Sequence, residues 1–318
     1  MKDFMKVVLK VDASKFIQAI DNTIAIMQKE RQSGRIVNGK IYGGFVELQV
    51  PENLVLVGDL HGDIKSFVQV LQDINVESFL ANNHNKIIFL GDYADRGTNS
   101  IRVLYMLCYI KQRYPNSVIL MRGNHESPLE FPFSSHDLPV EIVNFFGIKA
   151  GKLIYNKKIL PFFKLLVIAT LIKGQLFIVH GGLPVHISET LISDVRRIIA
   201  TSAESHLCNT VMEEILWNDP RENIENKLGW ENSKRGFGKY FGIDISKKWL
   251  QITGTKAIIR GHEPCQGFKI DHCGTIMTLF SCKEAYPVHE AAYIRISSEQ
   301  LNAIHNAYDL IHSIVKLK

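Results

Sequence analysis

The sequence predicts an α/β (α+β) protein of buried strands flanked by helices, and three observations carry that expectation. Asn53–Val57, Lys86–Leu90, Ser117–Met121, Gln175–Val179 and Lys256–Ile259 are short runs rich in Val, Ile, Leu and Phe, which read as strands buried on both faces. Between them, Asp63–Asn75 and Asn99–Tyr114 carry apolar residues at helical spacing. Each strand also runs directly into a polar motif, so strands lying side by side would bring those motifs together along one rim.

The elements follow in chain order. Asp12–Arg31 has helical apolar spacing and is expected to pack on the core. The strand Asn53–Val57 opens into Gly58-Asp59-Leu60-His61-Gly62, and the helix after it presents Ile64, Phe67, Val68 and Leu71 as one stripe. Lys86–Leu90 leads to Gly91-Asp92-Tyr93-Ala94-Asp95-Arg96-Gly97, and Ser117–Met121 to Gly123-Asn124-His125-Glu126. Lys164–Ile172, Lys173-Gly174 and Gln175–His180 read as a hairpin that delivers His180-Gly181-Gly182. Lys256–Ile259 precedes Arg260-Gly261-His262-Glu263, Thr275–Ser281 and Ala291–Ser297 suggest a further strand pair, and Glu299–Lys316 reads as a packed helix through Leu301, Ile304, Tyr308, Ile311 and Val315.

Composition bounds the alternatives. A chain of 318 residues, 46% hydrophobic and 22% charged, buries a substantial core, and no repeat, low-complexity tract or linker divides it. It reads as one catalytic domain, residues 1–318, with a core near 45–297 and helical extensions at both ends. The net charge of +5 comes from scattered Lys and Arg, with no clustered basic stretch, so no nucleic-acid partner is expected. Cys108, Cys208, Cys265, Cys273 and Cys282 form no Cys-x-x-Cys pair, which points away from a disulfide framework or a thiolate zinc site. The N-terminus opens no apolar signal region, and the longest apolar stretch, Leu165–Ile172, is too short to span a bilayer. A cytoplasmic protein with no membrane partner is the expectation.

The motifs carry the chemistry. Carboxylates, an amide oxygen and imidazoles at the ends of apolar runs are what a two-metal hydrolase site needs. With no thiolate among them, the donor set suits manganese, iron or zinc better than magnesium or copper.

These residues resemble the phosphoprotein phosphatase family of metal-dependent serine/threonine phosphatases. Its four signatures, Gly-Asp-x-His-Gly, Gly-Asp-x-x-Asp-Arg-Gly, Gly-Asn-His-Glu and His-Gly-Gly, stand here unbroken and in order, and Leu216-Trp217-Asn218-Asp219-Pro220 and Gly229-Trp230-Glu231-Asn232 are similar to its protein-phosphatase branch. The resemblance implies a calcineurin-like metallophosphatase fold, a two-sheet β-sandwich flanked by helices, and two divalent metal ions, manganese placed first, with iron or zinc as alternatives. Asp59, His61 and Asp92 would hold one metal; Asp92, Asn124, His180 and His262 the other. His125 would act as general acid, with Asp95 holding its imidazole. Arg96 and Arg235 would grip the phosphate beside Asn124. Asp219 reads either as a cleft residue or as a turn before Pro220.

Two departures stand out. Pro128-Leu129-Glu130-Phe131-Pro132-Phe133 follows the histidine motif where the family continues helically, so that side of the cleft is expected to be reshaped. Phe280-Ser281-Cys282-Lys283-Glu284-Ala285-Tyr286-Pro287 replaces the family's late loop and makes Tyr286 a candidate cleft residue.

The implied function is hydrolysis of phosphoserine and phosphothreonine monoesters on phosphorylated proteins, by in-line attack of a hydroxide bridging two metals. No phospho-enzyme is expected, because no cysteine sits in a phosphate-cradling loop. The alternatives are a dinucleoside-polyphosphate hydrolase or broad-specificity phosphatase, and a catalytically inactive scaffold. An enzyme directed by a regulatory subunit is compatible with the main reading, and the sequence leaves open how strictly serine and threonine are preferred to tyrosine.

Overall fold

A computed structural model describes residues 6, 9–186, 195–202, 209–224 and 227–318. Cys208, named in the sequence, lies outside the described residues.

The predicted sandwich is present. One sheet has eight strands in the order β1 (Arg35–Ile36), β2 (Gly39–Tyr42), β3 (Phe45–Leu48), β7 (Ala169–Ile172), β8 (Leu176–Val179), β12 (Ala257–Arg260), β14 (Ile276–Leu279) and β13 (Phe268–Asp271). The other has five, ordered β16 (Ile314–Leu317), β15 (Ala291–Ser297), β4 (Asn53–Val57), β5 (Lys86–Phe89) and β6 (Val118–Leu120). A three-stranded sheet of β10 (Trp230–Asn232), β11 (Lys239–Phe241) and β9 (Asp219–Pro220), which the sequence pattern did not reveal, covers one end.

Side-chain alternation explains the layers. On β4, Leu54 and Leu56 face the inter-sheet core while Val55 and Val57 face the outer helices; on β12, Ile259 faces inward while Ile258 packs with Trp217 and Trp249 beyond. With both faces covered, such strands read as continuous apolar runs. The helix Ala13–Ser33 buries Phe16, Ala19, Ile20, Thr23 and Met27, and it packs on the helix Ser100–Arg113 as expected.

The motif-bearing strands are parallel within each sheet: β4, β5 and β6 in one, β8 and β12 in the other. A parallel bridge between Asp59 and Phe280 ties the two sheets at the rim. All five motif loops therefore leave from the same edge of the sandwich.

Three local expectations are corrected. Lys164–Ile172 is not one strand: a helix covers Leu160–Lys164 and β7 begins only at Ala169. β14 and β15 do not pair, since β14 lies between β12 and β13 and β15 between β16 and β4. Glu299–Lys316 is not one helix, because Ile304 is extended and a second capping box at Asn306/Asp309 starts a 3₁₀ turn, Ala307–Ser313, before β16. Capping residues inside a helical apolar pattern offered the backbone an alternative that won. No helix of the described residues is long and apolar enough to cross a membrane.

Candidate active site

The loop after β5 organises the rim. Leu60 and His61 donate their backbone N–H groups to the Asp92 carbonyl at 3.0 and 2.9 Å, drawing the first motif against the second. The third motif is locked on by Glu126, fully buried, which accepts the N–H groups of Asp92 at 2.8 Å, Tyr93 at 2.9 Å and Gly123 at 3.0 Å. Its motif gives Glu126 no role in sequence, and the structure makes it the clasp between two loops. Burial, then the charge of Asp92, push it up to about 7.

Close approach demands glycine at Gly123, where a Cβ would stand 2.1 Å from Asp92 Oδ1 and 2.3 Å from Asp92 N. His61, Asp92, Asp95, Arg96 and His262 all have positive φ, between 42° and 72°. Left-handed backbone at non-glycine residues is costly and clusters where surrounding structure imposes it for function.

Asp92 sits at the centre. Its Oδ2 lies 3.6 Å from His61 Nε2 and its Oδ1 3.3 Å from His180 Nε2, so each oxygen faces a different imidazole. Asp59 Oδ2 is 3.9 Å from His61 Nε2, and the Asp59 carboxylate accepts the His262 backbone N–H at 3.0 and 3.1 Å. His61 Nδ1 pairs with the Ala94 carbonyl and His180 Nδ1 with that of Leu90, both at 2.9 Å. A carbonyl only accepts, so both Nδ1 atoms carry hydrogen, which leaves Nε2 of each ring as the atom available to a cation.

Two clusters have metal-ligand spacing among the described residues: His61, Asp92 and His125, and Asp92, His180 and His262. Asn124 supports the reading. Its amide oxygen faces His180 Nε2 at 3.0 Å and His262 Nδ1 at 2.9 Å. Turned over, the amide nitrogen would donate to both and to Asp92. Either way a polar atom of Asn124 stands between the two imidazoles, and with its oxygen inward it would serve a cation there. Burial and the Asp92 carboxylate push Asp59 up to about 7, the cost of two neighbouring buried acids that a cation relieves. Burial and His125 bring His61 down to about 4, and burial with Arg235 holds His262 well below its usual range, keeping both in the neutral form that coordinates. Asp92 lifts His180 to about 9 against burial, so occupancy there would release a proton. The residues fit divalent cations.

The other candidates surround this cluster. His125 donates its backbone N–H to Asp92 Oδ1 at 3.0 Å, and its Nδ1 lies 2.7 Å from Asp95 Oδ2. Burial opposes its charged form, but Asp92 and Asp95 outweigh burial and raise its affinity for the proton. Arg96 projects from the rim, exposed, with no hydrogen bond or ion pair among the described residues. The Tyr286 ring stands 5.7 Å from that of His61 and 5.3 Å from Phe280. Burial lifts its hydroxyl to about 12 against the pull of Arg96.

Asp219 is no mere turn: fully buried, it accepts from Arg260 Nη2 at 2.8 Å and Arg235 Nε at 2.9 Å. Arg235 is thereby held on the cleft wall, half-exposed. Arg260 and Arg221 each reach Glu263 at 2.8 Å, giving three guanidiniums against two carboxylates, a locally positive wall. Arg221, Arg260 and Glu263 carry no signal of this role in their sequence spacing. His136 was also missed. It lies 3.0 Å from Asp95 Oδ2, in the reshaped segment, and nothing local distinguishes it from the other histidines.

A parallel-stranded sandwich with buried acids and imidazoles gathered at one rim is the architecture of the metallophosphatase fold class. The chain belongs to the calcineurin-like phosphoesterase family, whose model matches residues 53–266. Serine/threonine-protein phosphatase T of Schizosaccharomyces pombe is 34% identical over 235 residues, covering 72% of this chain and 46% of that protein. Serine/threonine-protein phosphatase 5 of Arabidopsis thaliana is 31% identical over 246 residues, covering 74% and 41%. A solved protein serine/threonine phosphatase from Saccharomyces cerevisiae, described as similar to human phosphatase PP5, superposes with a TM-score of 0.70 at 20% identity, covering 100% of this chain and 95% of that one, which speaks to the fold. The chain spans about half the length of the curated relatives it matches.

Proposed function

We propose that this chain is a metal-dependent serine/threonine protein phosphatase acting on phosphorylated proteins, with manganese as its metal. The observation that carries the reading is the Asp92 carboxylate, whose two oxygens face His61 Nε2 at 3.6 Å and His180 Nε2 at 3.3 Å. A carboxylate flanked in this way is suited to bridge two cations. The relatives named as serine/threonine-protein phosphatases support the substrate class.

Asp59, His61 and Asp92 would hold one cation, and Asp92, Asn124, His180 and His262 the second. Bound divalent cations neutralise phosphate charge and supply a nucleophile from water near neutral pH. The chain's own residues do the rest. Arg96, unpaired at the rim, and Arg235, anchored by Asp219, receive phosphate oxygens with planar guanidinium forks. Tyr286 closes the cleft beside His61. His125, its ring fixed through Nδ1 by Asp95, presents Nε2 for proton donation to the departing serine or threonine oxygen. A cytoplasmic setting belongs to the same proposal. A regulatory subunit fits this scheme as a source of substrate choice.

The test is phosphate release by metal-stripped protein, with and without manganese, on matched phosphoserine, phosphothreonine and phosphotyrosine peptides and on diadenosine tetraphosphate. Manganese-dependent preference for the first two is expected. Dominant dinucleotide cleavage would replace the proposal with a dinucleoside-polyphosphate hydrolase, and silence on all four substrates with a scaffold.

A further inference from the structure

Between Glu126 and the helix Leu138–Phe146 the chain forms no helix, yet it wraps the general-acid side of the site. It turns at Ser135, a non-glycine residue at φ 64°, a conformation that surrounding contacts must hold. Asp95 holds it. Its Oδ1 accepts the backbone N–H groups of Asp137 and Leu138, both at 2.7 Å, while its Oδ2 meets Nδ1 of His125 at 2.7 Å and Nδ1 of His136 at 3.0 Å. The carboxylate is fully buried, and these four donors fix its orientation. On the far side of His136, Nε2 lies 2.7 Å from the hydroxyl of Tyr155, which begins the π-helical turn Tyr155–Ile159. Such turns recur at functional sites.

The hydrogen positions follow from donor chemistry. A carboxylate only accepts, so His136 Nδ1 carries a hydrogen, and in the neutral ring Nε2 accepts from the Tyr155 hydroxyl. Burial, then Asp95, push that hydroxyl up to about 12, so it keeps its proton throughout the neutral range. Tyr155, His136, Asp95 and His125 thus form one hydrogen-bonded series ending at the imidazole that faces the cluster. Phe133, from the same segment, fences that imidazole with ring centroids 4.3 Å apart.

We infer that His136 is a positioning residue for His125, acting through Asp95 and itself set by Tyr155, and that the Pro128–Asp137 segment exists to deliver it. The inference rests on the phosphatase reading for its kinetic consequence. His136 has no hydrogen bond to any of the candidate metal ligands among the described residues, so its effect belongs to the leaving-group step alone.

The test compares wild type, His136→Ala, His136→Asn and Tyr155→Phe on a phosphoserine peptide and on 4-nitrophenyl phosphate, whose leaving group needs no proton. Loss of a charge-assisted hydrogen bond predicts that His136→Ala lowers kcat on the peptide about tenfold, with KM and the aryl phosphate rate nearly unchanged. His136→Asn, whose amide nitrogen replaces Nδ1, is expected to recover most of that loss, and Tyr155→Phe to lose about threefold. In the same variants the low-field Nδ1 proton resonance of His125, assigned by its loss in His125→Asn, should broaden in His136→Ala and persist in His136→Asn. Equal losses on both substrates, a His136→Asn variant as impaired as His136→Ala, or an unchanged resonance in His136→Ala would overturn the inference. A wild type inactive on both substrates would sink the phosphatase reading, and the resonance then decides the positioning role by itself.

Discussion

Glu214 offers a stability change whose sign and size can be worked from the structure. It sits on the helix Asn209–Trp217, which accepts the backbone N–H groups of Gly181 and Gly182 through the Ile215 carbonyl at 2.8 and 3.1 Å and so braces the His180 loop. The Glu214 side chain is 2% exposed; Oε2 accepts the Val185 N–H at 2.8 Å, Oε1 has no hydrogen bond, and the exposed His186 ring lies 3.8 Å off. Burial is the main cause that pushes its carboxyl from 4.5 up to about 7, against the Val185 N–H and Lys239. Between those two pH values the folded chain holds a proton that the unfolded chain has released, so stability falls as pH rises from 4.5 to 7 and levels off above. At about 1.4 kcal/mol per pH decade the full cost is roughly 3 kcal/mol. Glu214→Gln keeps a carbonyl for Val185 and never ionises. The variant is expected to be more stable than wild type by up to about 3 kcal/mol near pH 8, with the advantage shrinking toward zero near pH 5. Urea unfolding followed by tryptophan fluorescence at both pH values measures this. An advantage independent of pH, or a loss near pH 8, would show that burial does not hold the Glu214 proton.

Three further substitutions probe the site. His125→Asn is expected to cut turnover of a phosphoserine peptide about a hundredfold or more while an activated aryl phosphate loses far less; steady-state rates on both decide it. Arg96→Ala removes an exposed guanidinium with no partner among the described residues, so KM should rise about tenfold with stability within about 0.5 kcal/mol of wild type and metal content unchanged. Gly123→Ala drives a Cβ to 2.1 Å from Asp92 Oδ1, so elemental analysis should find fewer bound cations and thermal melts a lower midpoint.

Much of the fold was legible because the same residues serve two purposes. β4, β5, β6, β8 and β12 are buried on both faces, which makes them continuous apolar runs, and each ends at a loop whose glycines and charged groups mark its boundary. What failed was information set by pairing rather than by local pattern. β14 and β15 look alike in sequence but join different sheets, and Ile304 interrupts an apolar periodicity that continues past it. The site divides similarly. Asp59, His61, Asp92, Asn124, His125, His180 and His262 converge as their motifs imply, and Tyr286 reaches His61 despite its altered loop. His136 and Arg221 were hidden because their meaning comes from partners distant along the chain, Asp95 and Glu263.

These loops are proposed to form one two-cation site that hydrolyses phosphomonoesters. Its most direct test is a manganese titration of metal-stripped protein, reading phosphate release from a phosphoserine peptide. No release without metal and saturation at about two equivalents per chain are expected. Metal-independent release, or saturation at about one equivalent, would contradict it.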